Sequence, residues 1–266
     1  MGAVGFIGAG NMAEAIIGGV LKQGLFRPEE IQIHDILPDR TKALSASYGV
    51  AVAASLDDLV KGCGSIILAV KPDKISPVLA KAKDLLKGKL IISIAAGISL
   101  KEMEAVIGDG HRVVRVMPNT PALVLEGVTA LCASASCDEQ GMKTAVDIFS
   151  AVGRCRVMSE TAMNAVTALS GSGPAFSFLF IEALADGGVR AGLPRDVALE
   201  FAAATVKGAA AMVLQTGRHP GALKDMVASP GGTTIEGISI LEEKGFRSAA
   251  MDAVYAAFQK AGKRLS

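Results

Sequence analysis

Two glycines and an alanine near the amino terminus have the spacing of a nucleotide-binding turn. Gly8, Gly10 and Ala13 form a G-x-G-x-x-A pattern that follows an apolar run and opens a helix-like segment. In such a turn the first glycine permits the tight bend, the second lets a pyrophosphate approach, and the alanine keeps the helix close to the strand. A glycine-rich turn without a ligand is the alternative. The residues predicted to contact a dinucleotide here are Gly8, Ala9, Gly10, Asn11, Met12 and Ala13.

A carboxylate follows the second strand-like run, about 20 residues beyond the glycines, where a ribose is usually recognised. Asp35 would accept hydrogen bonds from the adenosine ribose and repel a 2′-phosphate, so it favours NADH. Arg40 lies close in sequence and could reach such a phosphate instead. Since Pro38 follows, Asp35 could also serve only to open the next helix.

Three later turns follow strand-like runs and should lie at the carboxyl edge of the sheet, where ligands of such folds bind. They are "LAVKP", "AAGIS" and "MPNTP". Lys71 in the first turn could contact the cofactor or could simply be solvated, and the other two turns should frame the nicotinamide. The cofactor residues predicted from these turns are Ala69, Val70, Lys71, Pro72, Ala95, Ala96 and Asn119.

The stretch "ASPGGTTIEG" has the chemistry of an anion-binding helix start. Thr233 followed by Glu236 has the spacing of a capping box, and the first N–H groups of a helix attract anions. Gly231 and Gly232 lack the Cβ atoms that would block close approach, while Thr234 adds a hydroxyl that the cap does not need. An ordinary helix start after a Pro-Gly turn is the alternative.

The predicted secondary structure that positions these residues changes near residue 158, from alternating strands and helices to helices alone. Before it, short apolar runs alternate with helix-like segments, which predicts an α/β fold with a doubly wound, Rossmann-like parallel sheet. After it, the pattern predicts only helices. The predicted domains are therefore 1–158, dinucleotide-binding, and 159–266, all-helical. The predicted helices of the second domain are 160–189, 196–216, 220–227, 234–244 and 246–264.

Composition narrows the possible partners. The chain has 266 residues, half of them apolar, and a net charge of +1, which argues against binding to nucleic acid or to an anionic membrane. The four cysteines form no C-x-x-C pair and no secretory signal is evident, so we expect a cytoplasmic protein. The three histidines share no metal-ligand spacing, and we expect no metal site.

Residues 161–181 carry no charged side chain and approach the length of a membrane span, about 20 apolar residues. Polar and small residues occupy the middle of this stretch, among them Asn164, Ser170 and Pro174. This pattern favours a kinked helix buried in a subunit interface. No membrane partner is therefore expected.

Six motifs in order give the chain its family resemblance. With "GFIGAGNMAEAI", "LAVKP", "RVMPNTPALV", "ALSGSGPAF", "ADGGVRAGLPRD" and "LKDMVASPGGTTIEGI", it resembles pyrroline-5-carboxylate reductase over essentially its whole length. The resemblance implies reduction of 1-pyrroline-5-carboxylate to L-proline with NADPH or NADH, the last step of proline biosynthesis. It also implies that the helical domain forms an intertwined homodimer, in many relatives part of a larger ring of dimers.

The resemblance also implies roles for individual residues. The "SPGGTT" loop would hold the substrate carboxylate through Ser229, Gly231, Gly232 and Thr233, with Thr234 as the catalytic residue beside the imine nitrogen. Glu160 matches an acidic position near the substrate amine, although a glutamate in a first helical turn is ordinarily just favourable to the helix dipole. Some relatives carry glutamine, asparagine or serine where this chain has Met226, Leu56 and Asp35, so cofactor contacts at these positions do not carry over.

Two other functions stay open as alternatives. A 3-hydroxyacid dehydrogenase has the same two-domain plan but needs a catalytic lysine in its "GSG" helix. No lysine occurs between Lys143 and Lys207, which favours imine reduction. A nonenzymatic NAD(P)-binding regulator would bind the cofactor without reducing the imine.

Overall fold

A sheet of eight short strands carries the predicted nucleotide turn. The structure is a computed structural model that describes residues 2–262. Within these residues the strands are β1 Val4–Ile7, β2 Ile31–His34, β3 Ala51–Val52, β4 Ser65–Leu68, β5 Leu90–Ser93, β6 Arg112–Met117, β7 Gly127–Ala133 and β8 Gly153–Val157. Their order across the sheet is β3-β2-β1-β4-β5-β6-β7-β8.

The sheet is doubly wound, as predicted. The chain runs outward from β1 through β2 to β3 and then crosses back to β4, so β1 and β4 are neighbours at the point where the strand order reverses. All pairs are parallel except β6 with β7, which is antiparallel. The short edge strand β3 and this antiparallel pair were not predicted.

Helices cover both faces of the sheet. Strands β1, β4 and β5 read as nearly continuous apolar runs because a parallel sheet is buried on both sides. Phe6, Ile67 and Ile92 belong to one core cluster, and Ile66 and Leu68 to the other. The helices that follow the strands are α1 Asn11–Lys22, α2 Pro38–Tyr48, α3 Leu56–Gly62, α4 Pro72–Ala82, α5 Leu100–Ile107 and α6 Glu139–Ser150.

After β8 the described residues are helical, as predicted. A helical run begins at Glu160 and contains α7 Met163–Val166, a π-helical turn Thr167–Gly171, and α8 Gly173–Arg190. The remaining helices are α9 Arg195–Thr216, α10 Pro220–Val227, α11 Thr233–Glu243 and α12 Phe246–Gly262.

By compactness the chain forms two units. One contains the residues up to Ser172 together with the end of α12 from Ala257, and the other contains Gly173–Ala256. The first unit extends beyond the predicted boundary at residue 158 because the start of the helical run packs on the sheet, with Met163 in its core. The domain boundary itself stays a prediction.

The π-helical turn has a local cause in Pro174. Proline has no N–H, so the carbonyl of Ser170, four residues earlier, loses its α-helical donor. One turn instead closes with a wider hydrogen bond, from Ser172 N to Thr167 O at 2.9 Å. The predicted kink is therefore a π-helical turn, a feature that frequently occurs at functional sites.

Among residues 2–262, two helices are long and apolar enough to cross a membrane. They are Glu160–Arg190 and Arg195–Thr216, and only 11% of the most apolar window of each is buried. Length and composition alone are weak evidence for a membrane span, because helices of soluble proteins pass the same test. The expected placement of this surface in a subunit interface stays a prediction.

Candidate active site

The glycine turn between β1 and α1 is shaped for a close backbone approach. Gly8 has φ +105°, and a Cβ there would lie 2.5 Å from the carbonyl oxygen of Ala69, so a side chain is excluded. A Cβ on Gly10 would meet nothing within 4 Å among the described residues. At position 8 the backbone conformation and the neighbouring Ala69 carbonyl therefore require a glycine, whereas at position 10 the absence of a side chain leaves room for a ligand.

The N-terminus of α1 fits a pyrophosphate. Gly10 is the N-cap and has no side chain, so it leaves the first N–H groups of this 12-residue helix without a side-chain cap. Ala13 is fully buried and lets α1 pack closely on the sheet. Exposed N–H groups and the helix dipole together favour an anion at this place. The residues present thus fit a dinucleotide cofactor.

Asp35 and Arg40 both bind the backbone of the same turn. Asp35 Oδ2 accepts a hydrogen bond from Ala9 N at 2.7 Å, and its Oδ1 accepts one from Leu37 N at 2.9 Å. The Arg40 guanidinium donates from Nε to Ala9 O and from Nη2 to Asn11 Oδ1, each at 3.1 Å. Both groups that sequence reasoning considered for cofactor choice therefore lie beside the glycine turn, with opposite charges.

A cavity of about 250 Å³ opens at the carboxyl ends of β1 and β4. Its lining is mostly apolar, which suits an aromatic base more than a phosphate. Sequence reasoning missed the contribution of α4 to this wall, although its lining residues recur at helical spacing. The cavity is lined by Ile7, Gly8, His34, Asp35, Ile36, Leu56, Val70, Lys74, Pro77, Val78 and Lys81.

The turn after β4 lies at the same edge of the sheet. Ala69 N donates to Ile7 O at 2.8 Å, which continues the pairing of β1 with β4 one residue beyond the end of β4. Lys71 is exposed and is the N-cap of α4, with Pro72 as the first helical residue. The structure thus brings the predicted Ala69–Pro72 segment next to Gly8, while the contact between Lys71 and a cofactor stays a prediction.

A second cavity, of about 290 Å³, adjoins the turn after β5. It joins the predicted Ala96 to the helical run and to the end of α12. Lys260 was not among the predicted residues, since no motif connects the end of the chain to this turn. The lining residues are Ala96, Gly97, Asn164, Thr167, Ser172, Ala257, Lys260 and Ala261.

Asn119 is buried, with 7% of its surface exposed. Its Oδ1 accepts from Val128 N at 2.8 Å, and its Nδ2 donates to Ser170 O at 3.0 Å. This second bond satisfies the carbonyl that Pro174 leaves without a donor. Both polar atoms of the side chain thus already have protein partners, and the predicted cofactor contact of Asn119 stays a prediction.

Glu160 forms an ion pair with a buried arginine. Arg115 Nη1 lies 3.0 Å from Glu160 Oε1, and the two side chains are 4% and 34% exposed. The same oxygen accepts a hydrogen bond from Leu100 N at 2.7 Å. Sequence reasoning missed the role of Arg115, although this residue begins the motif "RVMPNTPALV", because nothing in the local pattern of β6 identifies its partner. The predicted contact of Glu160 with substrate stays a prediction.

Cys132 lies opposite Arg115 in the β6–β7 ladder. Burial raises the pKa of its thiol to about 11, with a smaller contribution in the same direction from the Glu160 carboxylate. The thiol is therefore protonated at neutral pH and is not a nucleophile.

The "SPGGTT" loop leads into α11, but the capping box predicted for it is wrong. Thr233 is the first helical residue, and the N-cap is Gly232, with extended backbone angles of φ −81° and ψ 170°. A side chain on Gly232 would collide with Ser229 Oγ at 2.4 Å, and Gly231 has φ +66°. The backbone of the loop therefore favours glycine at position 231, whereas a side chain at position 232 would have to displace the Ser229 hydroxyl. The first N–H groups of the 11-residue α11 have no side-chain cap.

Family models match most of the chain in two segments. Residues 160–264 match the model described as pyrroline-5-carboxylate reductase dimerisation. Residues 3–97 match the model described as NADP oxidoreductase, coenzyme F420-dependent.

Full-length relatives agree with these matches. The pyrroline-5-carboxylate reductase of Methanosarcina acetivorans is 48% identical, over 97% of this chain and 96% of its own length. That of Escherichia coli is 43% identical, over 98% and 97%. The crystal structure of Plasmodium falciparum pyrroline carboxylate reductase with NADP bound superimposes with a TM-score of 0.90 at 34% identity, covering 99% of this chain and 98% of that one.

Proposed function

The chain belongs to the pyrroline-5-carboxylate reductase family, and we propose that it reduces 1-pyrroline-5-carboxylate to L-proline with NADPH or NADH, the last step of proline biosynthesis. The observation that carries this proposal is similarity over nearly the whole chain, which includes both the nucleotide turn and the helical domain with its "SPGGTT" loop. A 3-hydroxyacid dehydrogenase, the alternative, needs a lysine in the "GSG" helix, and this chain has none there.

The first unit supplies the cofactor site. The N-terminus of α1 binds the pyrophosphate, with Gly10 leaving room for it, and Asp35 accepts hydrogen bonds from the adenosine ribose. The segments Ala69–Pro72 and Ala95–Ala96 complete the site at the carboxyl edge of the sheet. A bound reduced nicotinamide supplies the hydride that the imine carbon accepts.

The loop before α11 supplies the substrate site. The first N–H groups of α11 lack a side-chain cap and suit the substrate carboxylate. Ser229, Gly231, Gly232 and Thr233 surround that carboxylate, and the positive φ of Gly231 gives the loop its turn. Thr234 follows one residue further and offers its hydroxyl to the ring nitrogen.

Thr234 acts by orientation. The imine can arrive already protonated, so the nitrogen carries the proton that the product retains and no strong acid is required. The hydroxyl of Thr234 holds this nitrogen while the neighbouring carbon receives the hydride. Such positioning, with reacting atoms about 3 to 3.5 Å apart, is itself a large part of catalysis.

We also infer that the protein is cytoplasmic and forms either a homodimer or a larger ring of such dimers. The helices of the second unit expose large apolar side chains, among them Phe178 at 64% and Leu179 at 68%. A second copy of the same surface would cover them. Residues 160–264 match a dimerisation model, which favours a second copy of the chain over a lipid as the partner of this surface. The four cysteines are free thiols, which suits a reducing compartment.

A turnover assay tests the proposal. Purified protein is mixed with 1-pyrroline-5-carboxylate and either NADPH or NADH, and oxidation of the cofactor and formation of proline are followed together. We expect both in equal amounts. A protein that binds the cofactor but oxidises none of it with this substrate would be a regulator, and the proposal would be wrong.

A further inference from the structure

Arg115 is a charged side chain in the interior of the first unit. It lies within β6, between Ser93 of β5 and Cys132 of β7 in the ladder. A buried charge is costly unless it is paired, so a guanidinium that is only 4% exposed requires a fixed partner. That partner is Glu160, at 3.0 Å.

One oxygen of Glu160 connects three elements. Oε1 accepts from Arg115 in β6 and from the backbone N–H of Leu100, the first residue of α5, while Glu160 itself begins the helical run. Leu100 directly follows the turn 95–99, whose last residue, Ser99, caps α5. The carboxylate therefore holds the end of this turn against the sheet and against the helical run.

A second bond fixes the far end of the same helical segment. The carbonyl of Ser170, in the π-helical turn, accepts from Asn119, the residue before the short helical turn Thr120–Val124. The segment 160–171 is thus attached to the sheet near both of its ends. Two walls of the 290 Å³ cavity, the turn at Ala96 and the segment with Asn164 and Thr167, are thereby held in a fixed relation.

We propose that Glu160, anchored by Arg115, is a positioning residue that sets the turn 95–99 for hydride transfer, and that it does not bind the substrate amine by its charge. The inference rests on the proposed function, in which this turn frames the nicotinamide. The Arg115 guanidinium already offsets the charge of the carboxylate, and Oε1 already has two donors. Removing the pair shifts the turn, and with it the geometry of the reacting atoms.

Two substitutions of Glu160 separate positioning from charge. E160Q keeps an oxygen that accepts from Leu100 and Arg115 but carries no charge, whereas E160A removes the acceptor. For E160A we expect kcat to fall by up to about 100-fold, the loss that a displacement of roughly 1 Å can cause. E160Q should recover most of that loss. The dissociation constant for NADPH, measured by fluorescence titration without substrate, should stay near the wild-type value in both variants.

Arg115 and its neighbour Arg112 give the second comparison. R115M should lower kcat, and combining it with E160A should add little, because both changes break one contact. R112M is the matched control: Arg112 lies in the same strand and pairs with Asp138 at 3.4 Å, away from the turn. We expect R112M to keep the wild-type kcat.

Wild-type turnover is measured first, so that failure of the proposed function is distinguished from failure of this inference. If the wild type is active and E160Q loses as much kcat as E160A with a raised KM for the imine, the charge contacts the substrate and the inference is wrong. It is also wrong if E160A lowers the melting temperature but leaves kcat unchanged. Should R115M fail to fold, the E160Q and E160A pair decides the question alone.

Discussion

At the scale of single residues, two side chains of opposite charge, Asp35 and Arg40, bind the glycine turn between β1 and α1. The Asp35 carboxylate binds Ala9 N, and the Arg40 guanidinium binds Ala9 O, so both reach the backbone of the same residue. A cofactor with a 2′-phosphate meets repulsion from Asp35 and attraction from Arg40, whereas an unphosphorylated ribose can bond to the carboxylate. Cofactor choice therefore depends on the balance of two neighbouring side chains.

We predict that NADH competes effectively with NADPH and that Asp35→Ser shifts the preference towards NADPH. Removing the carboxylate removes the repulsion of a 2′-phosphate and leaves Arg40 in place. A change in the ratio of the two kcat/KM values of about tenfold would correspond to ~1.4 kcal/mol. The measurement compares both cofactors for both proteins.

Asp39→Ser is the control for this prediction. Asp39 is an exposed carboxylate in the first turn of α2, and its removal changes the net charge by the same amount. It should leave the ratio unchanged. A strong preference for NADPH in the wild type that persists in Asp35→Ser would show that Arg40 dominates.

The two threonines of the substrate loop should differ in catalysis and not in stability. Gly232 is the N-cap of α11, so neither Thr233→Ala nor Thr234→Ala removes a cap, whose loss would cost about 1 kcal/mol. Thr234→Ala should lower kcat because its hydroxyl orients the imine nitrogen. Steady-state kinetics and thermal unfolding of both variants test this. Unchanged kcat in Thr234→Ala would assign the nitrogen to another group.

At the scale of elements, both candidate ligand sites use the start of a helix without a side-chain cap. Glycine is the N-cap of α1 and of α11, so in both places the first N–H groups are left for a ligand. By contrast, α5 begins with a complete capping box formed by Ser99 and Glu102. Thus α5, which the Glu160 contact holds, is capped by a side chain, whereas α1 and α11, which are proposed to bind anions, are not.

Gly231 and Gly237 should respond in opposite ways to alanine. Gly231 has φ +66°, where a side chain costs ~1–2 kcal/mol, so Gly231→Ala should distort the loop and raise the KM for the imine. Gly237 lies inside α11, and a Cβ there meets nothing within 4 Å among the described residues. Gly237→Ala should therefore stabilise the helix by roughly 0.5–1 kcal/mol. Steady-state kinetics and thermal unfolding of both variants test these expectations. If Gly231→Ala has the same KM for the imine as the wild type, the loop does not belong to the substrate site.

At the scale of the whole molecule, the two units differ in how much apolar surface they bury. The first unit buries large aliphatic side chains on both faces of its sheet. The core cluster of the second unit contains only Ala185, Ala198 and Ala202, with Ile181 and Val189 packed against it. The helices of the second unit instead expose large apolar side chains such as Phe178 and Leu179. A large exposed apolar surface marks an interaction site.

We predict that the protein is a dimer or a larger assembly of dimers, and that Phe178→Glu weakens it. A charge placed in the interface would be desolvated without a partner, which opposes association. Val52→Glu is the control, since Val52 is an exposed apolar residue of the edge strand β3 in the first unit. Light scattering of the three proteins decides. An active monomer at micromolar concentration in the wild type would contradict the interface.

The sequence by itself determined the features that depend on local pattern. They are the glycine turn, the alternation of strands and helices, and four of the five helices after residue 158, the exception being the interrupted run at 160–189. The predicted end of the last helix, at residue 264, lies outside the described residues. These features follow from side-chain periodicity, proline and glycine, whose effects extend over only a few residues. Only the tertiary structure decided contacts between distant residues. Arg115 with Glu160, Asn119 with Ser170, and Lys260 beside Ala96 are brought together by the fold, and nothing in the local pattern records such a partner. The capping box failed for a related reason. Its spacing is a local signal, but the structure begins α11 at Thr233, after Gly231 turns the loop at a positive φ and Gly232 becomes the N-cap.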